Sequence, residues 1–408
     1  MEQGRFKTTV ALSVVVFVML GCHSGDSEPE KVWANEPVAY NPSPNSQNAF
    51  DAYALAALDA QTLAQSSIDR VFFFPDQKTE VSKKIERCVR EVSRATEMPC
   101  QFKFVAHKPF KAPQYQSGWR LIGRVYQWNA ETACTGSDFD TAIKNVVTGS
   151  KFGFDLTGGG ATDASLGLAI VNNLRRVITS YLGKMTPAQL DRLAKGMKDA
   201  LSRKPSLNDT LKNEHENMLQ TLQYVANIMK TEDLKGLQQN MGPDVNEAVR
   251  YIDQIRSNPK KRQAFMTELS NACEEEFSAI QHDIGQPANL RSKPKTDFTG
   301  QWKKLPKHIL GTSRPLLELS DMTLARTRLL ILYAEIYRVG KQNKPYPTSL
   351  TSFTRELTID PFSATPFLYH ADQAEFSIYS VGLNGRDDGG DSDETFTAPD
   401  LRLENTGQ

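Results

Sequence analysis

Asp387, Asp388, Asp391, Asp393 and Glu394 fall within eight residues, with Gly389 and Gly390 among them. Oxygen-rich loops with glycines suit Ca²⁺, which takes roughly six to eight oxygens in flexible geometry. The alternating ligand ladder of an EF-hand, closed by a distal Glu, is missing. A solvated acidic tail is the competing reading, so Asp387, Asp388, Asp391 and Asp393 stand as candidate calcium ligands, and no other cofactor is indicated. Catalytic chemistry is harder to find. His23, His107, His215, His282, His308 and His370 are scattered, with no two at metal-ligand spacing. His215-Glu216 lacks the second His of a zinc-protease helix. Asp155-x-x-Gly158-Gly159-Gly160 lacks the Lys and Ser/Thr of a phosphate loop and reads as a turn. No Gly-x-Ser-x-Gly elbow occurs, and Ser165 has no base nearby in sequence. A non-catalytic chain is expected. The alternative is a hydrolase whose site is assembled from distant residues.

The N-terminus carries a different chemistry. Arg5 and Lys7 precede a run from Val10 to Leu20 that is apolar except for Ser13. The run is shorter than the ~20 residues a bilayer-spanning helix needs, and it has the length of a signal-peptide core. Met19-Leu20-Gly21-Cys22 resembles a bacterial lipobox, which implies cleavage before Cys22 and acylation of its thiol. Met19 and Leu20 depart from the Leu and the small residue that the motif prefers. The resemblance implies a lipoprotein held to a membrane by its acyl chains, each buried methylene contributing ~0.8 kcal/mol. His23 stands where Asp would favour the inner membrane, so the outer membrane facing the periplasm is the expected location. In such an oxidising compartment Cys88, Cys100, Cys134 and Cys273 allow up to two disulfides in three pairings. Cys88 and Cys100 are the nearest pair. Four small buried hydrophobes are the alternative.

Helices must position whatever these groups do. Lys+Arg and Asp+Glu are both 48, so the zero net charge gives no pull toward nucleic acid. The pattern divides into a signal peptide (1–21), a polar tether (22–47), a helical domain (48–285), a basic linker (286–315) and a last unit (316–408). Helices are expected from Asn48 to about Ser67, over 81–96, and over 162–182 and 187–201 as an antiparallel pair. Further helices are expected over 213–229, 243–256 and 259–282. Trp119-Arg120-Leu121-Ile122-Gly123-Arg124-Val125-Tyr126, followed by Asp138-Phe139-Asp140-Thr141-Ala142-Ile143, resembles a tetratricopeptide hairpin. Trp119, Ile122 and Tyr126 should then pack on Phe139 and Ala142. The order of these segments is similar to a group of envelope proteins from planctomycetes and related bacteria, which implies a helical architecture and no activity.

From residue 316 the texture changes. A helix over 321–339, capped at Ser320 or Asp321, is followed by Tyr346-Pro347, Asp360-Pro361-Phe362 and a hairpin of Phe367–His370 with Glu375–Val381. Ser380-x-Gly382-x-Asn384-Gly385 and the acidic loop complete the series. This set resembles the globular head of type II secretion major pseudopilins, whose corresponding loop binds calcium. The long apolar assembly helix of that family is absent here. The expected fold is mainly α, a solenoid-like or bundle-like helical-hairpin array followed by a small α+β head. The expected function is a non-catalytic interaction or scaffold module in secretion or envelope assembly. Its partners would be the membrane and other envelope proteins or peptides.

Overall fold

Side-chain caps from Asn48, Asp138, Thr186, Ser206 and Asn258 set where five of the described helices begin. The computed structural model describes residues 41–68, 70–102, 115–229, 234, 245–293, 302, 304–310, 313–342, 345–372, 375–390 and 400–403. It is mainly helical, with one two-stranded antiparallel sheet near the C-terminus. Helix α1 (Ala49–Leu63) starts where the Asn48 side chain accepts the Phe50 N–H at 3.2 Å. The same side chain accepts from Gln101 N at 2.8 Å and donates to Gln101 O at 2.7 Å, tying a distant stretch of chain to the helix start. The single helix expected over 81–96 is two, α2 (Pro75–Lys84) and α3 (Glu86–Ala95). Pro75 at its first position starts α2 early, and the chain breaks at buried Ile85 (φ −107, ψ 16).

Helices α4 (Gln116–Thr135) and α5 (Phe139–Leu156) form the expected hairpin. Ser137 takes a left-handed turn (φ 60) and Asp138 caps the Thr141 N–H at 3.1 Å. The Gly158–Gly160 turn leads into α6 (Ala161–Thr179). A Thr186/Gln189 capping box opens α7 (Pro187–Ser202). Then come α8 (Leu207–Ile228), α9 (Asn246–Ile255), α10 (Pro259–Asp283), α11 (Leu305–Leu310) and α12 (Ser313–Gly340). A short α13 (Arg355–Thr358) precedes β1 (Leu368–Ala371) and β2 (Phe376–Tyr379), paired with Leu368 opposite Tyr379.

Two packing expectations are corrected. Trp119 faces α1, where its indole donates to Tyr53 O at 2.9 Å and its ring lies 6.1 Å from Phe50. Gly118 permits this, since a Cβ there would stand 2.1 Å from Ala57 O. The α6–α7 antiparallel pair is likewise replaced, because α7 packs chiefly on α5 and α12. Its Lys198 pairs with Glu335 of α12 at 2.8 Å.

Helix α12 begins at Ser313, so Ser320 and Asp321 lie inside it. It is buried on more than one side. Met322, Ala325, Leu329, Leu330, Ile331, Leu332 and Ile336 belong to the same apolar cluster as Phe50, Trp119 and Val146. A helix apolar nearly all round must be enclosed: α6 and α7 cover one side, and the hairpin covers another through Phe376, stacked 5.0 Å from Tyr333. A second cluster joins α8–α11 to the first turns of α12 through Leu316 and Leu317.

Candidate interaction surface

Between the 3₁₀ turn Gln65–Ser67 and α2 the chain runs Arg70-Val71-Phe72-Phe73-Phe74. Alternation turns Phe73 inward. It is 5% exposed, with its ring 4.9 Å from that of Trp128. The Arg124 guanidinium lies 5.6 Å from the Phe73 ring, and Nη1 of Arg124 donates to Arg70 O at 2.6 Å. The N–H of Phe74 donates to Gln77 Oε1 at 3.1 Å, which starts α2. The segment is thus pinned at both ends and at its centre. Its other apolar side chains face solvent: Val71 is 64% exposed, Phe72 71% and Phe74 58%. The Phe72 and Phe74 rings meet edge-on at 5.2 Å. A single exposed apolar side chain is ordinary, but three on one pinned turn form a patch. Burying an exposed phenylalanine is worth ~1.5–3 kcal/mol.

Arg120 and Arg124 share one face of α4 beside this turn, four residues apart. Burial, and then the Arg120 charge, hold Arg124 below the usual guanidinium range. Arg70, Arg120 and Arg124 form no ion pair among the described residues. Of the nearby acids on α2, Glu80 is tied to Lys84 at 2.6 Å, while Asp76 stands in the first turn. On the same helix Lys78 pairs with Glu131 at 3.3 Å. An open groove of about 430 Å³ lies between α4 and α6, lined by Gln127, Glu131, Thr135, Asn173, Val177 and Tyr181 among others. Its lining mixes polar side chains with Val177 and the Tyr181 ring.

Two polar nodes sit inside the helices. Arg203 grips Asp155 through Nε at 3.0 Å and a second nitrogen at 2.6 Å, and the Tyr53 hydroxyl donates to the same carboxylate at 2.6 Å. Burial raises the Asp155 carboxyl even against those hydrogen bonds. In the second node the amide of Gln116 donates to Asp163, and Glu214 accepts from Ala161 N at 2.9 Å at the start of α6. Burial pushes Asp163 up to about 7; the Gln116 bond opposes this and the Glu214 charge adds to it. Asp155 therefore ties Arg203 to Tyr53, and Glu214 holds the first N–H of α6 while Asp163 holds the Gln116 amide. The glycine turn between them is filled by neighbouring side chains, with Phe102 against Gly159 and Asn217 against Gly160.

Cys22, Asp391 and Asp393 lie outside the described residues, as do His23 and His107. Asp387 accepts from Tyr379 Oη at 3.1 Å and Gly389 N at 2.9 Å, and Asp388 accepts from Asn384 Nδ2 at 2.6 Å. Asp400, which was not singled out in the sequence, organises the loop by accepting from Asp388 N at 3.1 Å and Gly390 N at 2.6 Å. Burial raises its carboxyl, and among the described residues its Oδ1 is enclosed with no hydrogen-bond partner. Arg402 brings a positive charge to the same loop, over the Tyr379 ring at 5.1 Å. Among the described residues no three His, Cys, Asp or Glu side chains converge as a metal site.

Cys88, Cys100, Cys134 and Cys273 form no disulfide among the described residues. Cys88 feels the charge of Asp59 near the end of α1, while Cys100 lies against Phe50 and Asp51 at its start. Burial raises Cys134 to about 11 and Cys273 to about 12, so neither is a ready nucleophile. His215 pairs with Glu274 at 2.9 Å on the flank of α8.

The Asp-Pro-aromatic and Ser-x-Gly steps meet in space. Asp360 accepts from Phe362 N at 3.0 Å, Ser380 Oγ at 2.9 Å and Val381 N at 3.0 Å, and Ser380 Oγ in turn accepts from Gly382 N at 3.1 Å. They form a staple closing the hairpin onto the preceding turn. No family model, curated protein or solved structure matches the chain. Among the described residues no helix is long and apolar enough to cross a membrane.

Proposed function

We propose that the chain is an envelope lipoprotein, anchored through Cys22, whose helical-hairpin array and pseudopilin-like head act as a non-catalytic interaction or scaffold module. The observation that carries this reading is the pinned aromatic turn, with Phe72 and Phe74 exposed on an otherwise well-packed helical body. Apolar side chains held rigidly in water are preorganised for a partner surface. The Asp360–Ser380–Gly382 staple supports the pseudopilin-like reading of the head, because it gives that motif set a structural role. Calcium fits the acidic loop to the extent that Asp400 Oδ1, beside Asp388, is a buried oxygen without a donor among the described residues. There Asp387, Asp388, Asp391 and Asp393 would be its ligands.

The anchor is tested by feeding cells an acyl-chain analogue and comparing wild type with Cys22→Ser. Label on the wild type alone is expected, and an unlabelled wild type rejects the anchor. The interaction reading is tested by placing a photo-reactive residue at Asn173 in the groove and irradiating whole cells. One reproducible adduct, lost when the groove is altered by Tyr181→Ala, is expected. A smear unaffected by the substitution counts against a scaffold role.

A further inference from the structure

We infer that the aromatic turn Val71–Phe74 is a membrane-docking wedge that inserts Phe72 and Phe74 into the headgroup layer of an anionic bilayer. This rests on the anchored reading above and names the surface that the turn meets. The shape favours a bilayer. Phe72 and Phe74 flank the buried Phe73 and project together into solvent with their rings 5.2 Å apart, so they form one exposed aromatic pair that a fluid interface can receive without a shaped pocket.

The charge favours it as well. Arg70 precedes the rings in the chain, Arg124 holds Arg70 O and lies 5.6 Å from the Phe73 ring, and Arg120 stands one turn away on α4; none has an ion pair among the described residues, and lipid phosphates would neutralise this positive charge. Reach is adequate. Residues 22–40 precede the described chain, and nineteen residues can span at most ~65 Å, against ~22 Å along α1 from its start to the turn. An anchored chain would hold the aromatic pair near lipid at high effective concentration, so weak insertion suffices.

The test uses the full chain as cells make it, carrying Phe72→Trp and reconstituted into phosphatidylethanolamine–phosphatidylglycerol vesicles. Its fluorescence is read as the difference from wild type, with lipids brominated at different depths. Expected are a blue-shifted indole, quenching strongest by bromines nearest the headgroups, and loss of both effects in phosphatidylcholine at high salt. If the indole introduced by Phe72→Trp stays quenched by aqueous iodide and blind to brominated lipid, the proposal is overturned. The same holds if that indole is shielded in native envelope membranes but not in vesicles, which would mean a protein occupant.

The mass of the N-terminal peptide reports the anchor separately. If it carries no acyl chains, the anchored reading fails while the wedge is still decided. In that case the chain is titrated onto the same vesicles, and Phe72→Ser/Phe74→Ser must weaken partitioning at least tenfold. Unchanged partitioning rejects the wedge.

Discussion

Asp163 is a carboxyl in the wrong medium for its charge. Burial and the neighbouring Glu214 raise it to about 7, and the Gln116 amide only partly offsets them. In the folded chain it keeps its proton up to about neutral pH, whereas in the unfolded chain it loses it near the ordinary aspartate value of 3.8. Between those values the folded state binds the extra proton, so stability falls as pH rises and levels off above about 7. The loss is at most ~4 kcal/mol. Asp163→Asn keeps an acceptor for Gln116 without the charge. Denaturant unfolding from pH 4 to 8 should show the variant gaining on wild type as pH rises, and parallel curves would discount the buried charge. Trp119 is the other informative side chain. Trp119→Ala should cost ~3–5 kcal/mol, because it removes a filled core position and the indole's hydrogen bond to Tyr53 O. Its burial was legible from the Trp-x-x-Ile-Gly-x-x-Tyr spacing. Its partner was not, because the periodicity of α4 defines a face but not which helix covers it.

At the scale of elements, close approach is set by glycines. Gly118 lies against the backbone of Ala57, and a methyl there has nowhere to go, whereas Gly136 at the end of α4 has only ordinary contacts. Gly118→Ala should therefore destabilise by ~1–3 kcal/mol or more despite the better helix propensity of alanine. Gly136→Ala should change the melting temperature little, and equal shifts for the two would mean α1 does not pack there. The hairpin ends were readable from Asp138, Thr186 and the glycine turn, since caps are local chemistry. The α6–α7 mispairing was not avoidable, since the α12 surface that claims α7 lies more than a hundred residues away. The aromatic turn was also missed. Val71-Phe72-Phe73-Phe74 between Arg70 and Pro75 reads as any short apolar run, and only its solvent exposure distinguishes it. In the head, the calcium reading predicts that calcium stabilises the full chain against chelator by RT ln(1 + [Ca²⁺]/Kd), ~2.7 kcal/mol at a hundredfold excess. Asp387→Asn/Asp391→Asn should abolish the difference. A wild-type melt indifferent to millimolar calcium rejects the site.

For the whole molecule, the position of α12 decides cooperativity. Its apolar residues are shared between the α5–α7 helices and the terminal hairpin, and it is bonded to α6 and to the segment that leads into the hairpin. Asn172 donates to Thr323 Oγ1 at 2.7 Å, and Arg328 donates to Ile359 O at 2.7 Å. The intact chain should melt in one transition by circular dichroism and by tryptophan fluorescence, and separated transitions would mean the two parts stand independently. A chain cut after residue 312 should lose cooperative unfolding, because α6 and α7 would expose the surface that α12 covers. The composition and break points of the sequence suggested a linker and a separate head. Leu316, Leu317 and Leu330 contradict nothing in that local pattern, yet they join clusters built mostly from residues far upstream.

The same enclosed helix sets the order in which the protein can mature. A ribosome delivers α1 to α11 first, and these must wait, with the α12 seat on α6 and α7 unfilled, until the last quarter of the chain emerges. A nascent chain of this kind stays loosely packed and protease-sensitive until late in synthesis. If the chain is exported as proposed, such delay would keep it threadable through a translocation pore and would leave the half-made chain to be shielded from aggregation.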